Sequence, residues 1–135
     1  IWGTAIHAQY ADLAEKYTSD ADYAPGTVVV FGDETEVTIS TQANDARVAG
    51  VVSTNPAHLM NGGLNGPNVV ALALQGRVPC RVVGFIKKGD LMVTSAIEGV
   101  ATSCDDPKTG TIIGKALENY DSSEVGIIEV AVGRL

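Results

Sequence analysis

The chain has 135 residues, 45% of them hydrophobic and only 19% charged, with a net charge of −7. That is one domain with apolar residues enough for a core and few charges to solvate a lone copy, a balance that fits a surface partly covered by partner subunits. The acidic excess and scattered basic residues exclude a nucleic-acid footprint, no apolar run reaches the roughly 20 residues of a membrane-spanning helix, and no signal-peptide pattern is present.

Ile6, Tyr10, Leu13 and Tyr17 recur at the spacing of one helical face, while His7, Gln9, Asp12, Glu15 and Lys16 fall mainly on the other side. This predicts a short amphipathic helix over 5–16. The competing reading is an extended arm laid along a neighbouring subunit, because an isolated helix this short is marginal. Trp2, Tyr10, Tyr17 and Tyr23 gather in this segment and read as packing anchors. Residues 18–25 form a polar connector ending in a Pro25-Gly26 turn, so 1–24 is arm and connector and 25–135 a β-barrel domain.

Beyond Gly26 the signals are those of strands. Val28–Phe31 and Val37–Ile39 flank the polar loop opened by Gly32-Asp33, which reads as a hairpin. Asn44-Asp45 turns the chain into a strand over 47–53. Residues 55–68 form a long loop containing Gly62, Gly63, Gly66 and Pro67, and loops of this length carry function or sit at an interface. Strands follow over 69–74 and 78–83, flanking Gln75-Gly76-Arg77. Lys88-Gly89-Asp90 turns into a strand over 91–94. A polar loop over 103–110 precedes a strand over 111–117, and residues 119–123 turn into a last strand over 127–132. Strands at roughly ten-residue spacing with turn chemistry between them describe a mostly-β barrel or sandwich.

The chain also states its pattern twice. Gly26–Val30, Val37–Ser40, Val48–Val52 and Ala73–Arg77 are followed by Gly89–Val93, Val100–Ser103, Ile112–Ala116 and Val130–Arg134. Two β-rich halves of one type predict a small pseudo-symmetric barrel. Gly50 and Gly114 sit mid-strand at matching places, where glycine marks a bulge, a bend or a close backbone approach. They are expected to be fold devices with a neighbouring strand close against them.

Catalytic equipment is not legible. His7 and His58 are the only histidines and neither has a partner at metal-ligand spacing. Ser53 lacks a nucleophile elbow. Asp33 and Asp90 each follow a glycine in a turn, where a carboxylate bonds nearby backbone. The run 62–66 lacks the Lys-Ser/Thr of a phosphate loop. Asp20 with Asp22, and Asp105-Asp106, lack the periodicity of a calcium hand. Cys80 and Cys104 lie in unlike contexts without a C-x-x-C spacing and read as free thiols. The expectation is no enzyme activity, no catalytic residues, no cofactor and no metal.

An ordered set of segments carries a resemblance: 10–17 (YADLAEKY), 23–32 (YAPGTVVVFG), 47–57 (RVAGVVSTNPA), 73–79 (ALQGRVP), 88–91 (KGDL), 113–118 (IGKALE) and 130–134 (VAVGR). Together they resemble the C-terminal domain of tail-fibre and virion structural proteins of tailed bacteriophages, particularly large marine phages. The likeness covers nearly the whole chain. It implies a homotrimeric, fibre-associated β-domain without a cofactor, located in the virion and assembled in the host cytoplasm. Its implied partners are other virion proteins or upstream fibre segments, with a host surface receptor as a further candidate, and neither nucleic acid nor membrane insertion. His58 stands where an aromatic is expected after Asn55-Pro56-Ala57. The opening at Ile1 and a last strand running almost to Leu135 fit the C-terminal piece of a longer polypeptide. The segment 11–15 (ADLAE) also resembles the self-cleaving chaperone domains that end some phage spikes and appendages. Ser53-Thr54-Asn55 and Asn44-Asp45 would then be the candidate cleavage residues. A receptor- or glycan-binding module using the loop 55–68 is a third expectation.

Overall fold

The computed structural model describes residues 12–54 and 56–133. Their regular structure is entirely β: β1 (Asp12–Thr18), β2 (Val28–Phe31), β3 (Val37–Ile39), β4 (Val48–Val51), β5 (His58–Met60), β6 (Val69–Ile86), β7 (Leu91–Thr94), β8 (Ala101–Ser103), β9 (Ile112–Ala116) and β10 (Tyr120–Val132). The helix expected over 5–16 is corrected for its second part, since residues 12–16 belong to β1; residues 5–11 lie outside the described residues. β1 pairs along its length with β6 and on its other edge with β5. These ladders supply the backbone bonds a helix would have made, and tertiary pairing overrides the four-residue spacing.

The second copy closes into a five-stranded barrel. Its circuit runs β6–β8–β7–β9–β10 and back to β6. β6 meets β8 in parallel at Val82 and Ala101, and the remaining pairs are antiparallel. The first copy follows the same circuit more loosely. β3–β2–β4 is a separate three-stranded sheet, and β1 pairs antiparallel with the first half of β6. Two single bridges join these pieces, Ser19 to Val37 in parallel and Val52 to Leu72 antiparallel. The 18-residue β6 therefore closes the first circuit and opens the second. Two strands were expected here, flanking Gln75-Gly76-Arg77; the chain instead continues through Gly76, whose φ of +113° only glycine adopts readily.

The registers define the repeat more sharply than the wording did. Val29 faces Gly50 across β2 and β4, and Met92 faces Gly114 across β7 and β9, each pair beside a register shift. Gly26 N–H donates to Val52 O at 2.9 Å, and Gly89 N–H to Ala116 O at 2.7 Å. Two segments slip by one residue from the match read off the sequence. Val37 corresponds to Ala101, not Val100, because these are the residues bridged in parallel by Ser19 and Val82. Leu72 corresponds to Val130, opposite Val52 and Ala116, which puts Gly76 and Gly133 one residue out of step.

Both interiors are filled from matched positions. The smaller core contains Val29, Val37, Val52, Val70 and Leu72, with Tyr17, Tyr23, Ala49 and Leu74 packed against it. Their counterparts Met92, Ala101, Ala116, Ile128, Val130, Cys80, Ile86, Ile113 and Val132 all lie in the larger core. The larger core also takes Val28, Val51 and Ala73 from the outward faces of β2, β4 and β6, so the first circuit packs its side against the second. Gly50 and Gly114 behave as expected. A Cβ on Gly50 would stand 3.3 Å from Ala73 O, and one on Gly114 would overlap the Ala131 carbonyl.

Candidate functional site

The fold keeps Asp33 and Asp90 apart and places each beside another carboxylate singled out in the sequence, Asp20 and Asp105 respectively. Asp33 lines a cleft with Asp20, Glu34 and Thr38, whereas Asp90 lines another with Lys87, Ser103 and Asp105. Asp90 Oδ2 accepts from the Lys87 N–H at 2.9 Å, a turn-closing bond that reaches back along the chain. Asp45 Oδ1 accepts from the Arg47 N–H at 2.8 Å, a bond that reaches forward along the chain. Asp20 takes hydroxyl bonds from Tyr23 at 2.6 Å and Thr38 at 3.0 Å. The Tyr23 bond is the main influence holding its carboxyl below the usual value. Among the described residues no three of His, Cys, Asp and Glu are placed to hold a metal ion. His58 is exposed in β5, while His7 and Asn55 lie outside the described residues.

Both described cysteines are free thiols. Cys80 lies in the larger core, where burial pushes its pKa up to about 12. Such a thiol is unreactive at neutral pH.

The fold does bring together one pair that spacing could not reveal. Asp12 opens β1 and Ser53 ends the segment after β4, yet the two side chains are neighbours, each only 5% exposed. Backbone bonds hold both segments: Ser53 N–H donates to Ala71 O at 2.7 Å, and Ala57 N–H to Asp12 O at 2.8 Å. Burial raises the Asp12 pKa, and the Ser53 hydroxyl only moderates that rise. The hydroxyl stands near the carboxyl, but no hydrogen bond joins the two. Asp12 Oδ2 and Ser53 Oγ therefore lack a partner among the described residues. Among the described residues, a buried carboxylate oxygen and a hydroxyl are thus left unpaired, which opposes folding and makes the pair a candidate for chemistry or for a conformational change. Ser53 was singled out from the sequence; Asp12 was assigned to a helix face, and no local signal gave its burial.

The second feature is the outer face of β6 and β10. Phe85, opposite Asp121, is 61% exposed and Ile127, opposite Arg81, 63%; Val125 in the intervening bulge of β10 is also exposed. Phe85 continues into a groove lined by Ile86, Lys87, Lys88, Asn119, Tyr120 and Asp121. The Lys87 ammonium stands 5.8 Å over the Phe85 ring. Neither lysine makes an ion pair among the described residues. The loop 55–68 presents β5 at the edge of the sheet, with Leu59 and Met60 exposed.

Compared with known proteins, the chain matches no family model and no curated protein.

Proposed function

We propose that this chain is a non-enzymatic structural module of a phage virion, a homotrimeric β-domain at the C-terminal end of a tail-fibre or related appendage protein. The observation that carries the assembly part is the apolar outer face with Phe85, Val125 and Ile127 exposed. Large apolar side chains exposed along one strand pair are costly in a free monomer and mark contact surfaces. The low charge content and the ordered likeness to phage fibre domains support the same reading. A structural role also needs no more than a rigid scaffold, which the two packed cores supply. Mass photometry of the purified chain should give the mass of three copies, and a stable monomer at micromolar concentration would count against assembly. Immunogold labelling of virions should place the chain on a tail appendage; unlabelled particles would remove the virion assignment.

The Asp12–Ser53 pair favours a second reading, a self-cleaving chaperone domain that assists fibre trimerisation. A carboxyl with a raised pKa lies nearer the range in which it can take and return a proton, and a serine hydroxyl is a nucleophile once deprotonated. Intact-mass measurement of the parent chain decides this. Cleavage abolished by both Ser53→Ala and Asp12→Asn would support it, whereas a single uncleaved wild-type species would end it.

A further inference from the structure

The two repeats allow scaffold demands to be separated from everything else. With Ser19 matched to Val82, Tyr23 corresponds to Ile86, and both pack against their cores. Between and beyond these anchors the chemistry diverges. Asp20, Asp22, Ala24 and Pro25 in the first repeat stand where the second has Val83, Phe85, Lys87 and Lys88. The backbone is the same in both places: Thr27 N–H donates to Ala24 O, and Asp90 N–H to Lys87 O. One turn accommodates either set, so folding does not require Phe85 or the two lysines. Their exposure has to be explained by something outside the fold.

The first repeat offers the complement. Its cleft is lined by Asp20, Asp33 and Glu34, and Asp33 and Glu34 are exposed. Phe31 is exposed in the strand that leads into that loop. The second repeat's groove offers Lys87 and Lys88 against the single acid Asp121, with Phe85 at its rim. Asp90 and Asp105 lie in the adjoining cleft; Asp90 is already engaged with the Lys87 backbone. No residue is shared between the acidic cleft and the lysine groove. An aromatic beside two acids on one repeat and an aromatic beside two exposed lysines on the other make two different, mutually complementary patches.

We infer that copies of this chain dock head to tail, the acidic Phe31–Asp33–Glu34 rim of one copy seating on the Phe85–Lys87–Lys88 groove of the next. This inference rests on the assembly reading above and names the surfaces that would carry it. Two unlike patches on one chain form a heterologous contact, which generates a closed ring when the rotation allows. Charge pairing sets register and orientation, while burial of the two phenylalanines supplies the apolar part.

Sedimentation velocity of the full chain tests it through charge reversal and restoration. Lys87→Glu with Lys88→Glu, and separately Asp33→Lys with Glu34→Lys, should each weaken association by on the order of tenfold or more. The fourfold variant carrying both reversals should recover most of the loss. All six side-chain positions in the contact are exposed, and circular dichroism with thermal melting shows whether each variant folds as the parent does. A variant pair that fails to fold is replaced by Phe85→Ser, which should also dissociate the assembly. A wild-type chain that stays monomeric overturns the assembly reading and this contact together. A wild-type oligomer indifferent to both reversals, or weakened by them without recovery in the fourfold variant, overturns the contact alone.

Discussion

The two repeats use one plan and reach different degrees of closure. The second is held mainly by multi-residue ladders, including ten registered pairs between β6 and β10, and only β6 and β8 meet at a single pair, Val82 and Ala101. The first is closed by two single bridges, and Phe31 stands exposed where its counterpart Thr94 is fully buried. The difference lies in connections and side-chain size more than in topology. Eighteen residues separate Val52 from Val70, but only twelve separate Ala116 from Ile128. The extra length holds β5, which pairs with the edge of β1 and is exposed along its length. A duplicated plan can thus keep its core positions while one copy becomes the rigid centre and the other acquires an excursion at its rim.

Substitution of the matched glycines is the strongest way to break this comparison. Gly114→Val should destabilise the fold by about 3 kcal/mol or more, since the added carbon overlaps the Ala131 carbonyl. Gly50→Val should cost about 2 kcal/mol through its contact with Leu72 and a φ of +146°. Thermal melting checks both. A valine tolerated at either position without loss would undo the claim that both are close approaches of one strand to another.

A graded pair of core truncations comes next. Met92→Ala should cost about 2–5 kcal/mol and Val29→Ala roughly 2 kcal/mol, because both side chains are fully buried but Met92 fills more of its core. Denaturant midpoints measure the order, and a larger loss at Val29 would reverse the assignment of the rigid centre. Amide exchange sharpens the same point. β3 and β4 should exchange faster than β9 and β10, since fewer ladder bonds must open. Uniform protection would show that the single bridges close the first circuit as firmly as the ladders close the second.

Asp12 gives a smaller effect with a defined sign. Its folded pKa is raised above the unfolded value, so the native state binds the proton more tightly. Its contribution to stability is therefore most favourable at acid pH. It declines as pH rises from the unfolded value of 3.8 through the raised folded value, and the penalty is full above that. Asp12→Asn should raise Tm at pH 7 and flatten the melting profile across that window. An unchanged profile would mean that the carboxyl is paired in solution. The smallest effect belongs to Phe85→Asp, which writes the first repeat's Asp22 into the second. Measured at a concentration low enough that copies do not associate, stability should stay within about 0.5 kcal/mol, because the side chain makes no core contact. A larger loss on melting would show that Phe85 serves the fold after all.

Much of this architecture was legible in the sequence because strand periodicity and turn chemistry are local. Val28–Phe31, Val37–Ile39 and Leu91–Thr94 form where the pattern put them. Gly50 and Gly114 declared themselves because a glycine inside a strand has few explanations. The candidate site was legible only in its parts. Ser53 stood out beside Thr54 and Asn55, and Lys88-Gly89-Asp90 was read as a turn, but nothing local linked Asp12 to Ser53 or brought Asn119, Tyr120 and Asp121 beside Phe85 and the lysines.

By itself, the sequence determined a mostly-β chain, its duplication and the positions of its apolar strands, since each depends on patterns a few residues long. Tertiary structure decided that residues 12–16 are strand, because β6 and β5 offered ladder bonds on both edges. It decided that β6 is continuous and shared, because the closing strand of one circuit runs on through Gly76 as the opening strand of the next. It also decided which outer positions stayed free of the cores, and so where Phe85 and the lysines came to face solvent. Those outcomes depend on contacts between residues far apart in the chain, where a one-residue slip in register exchanges the inside of a strand for its outside.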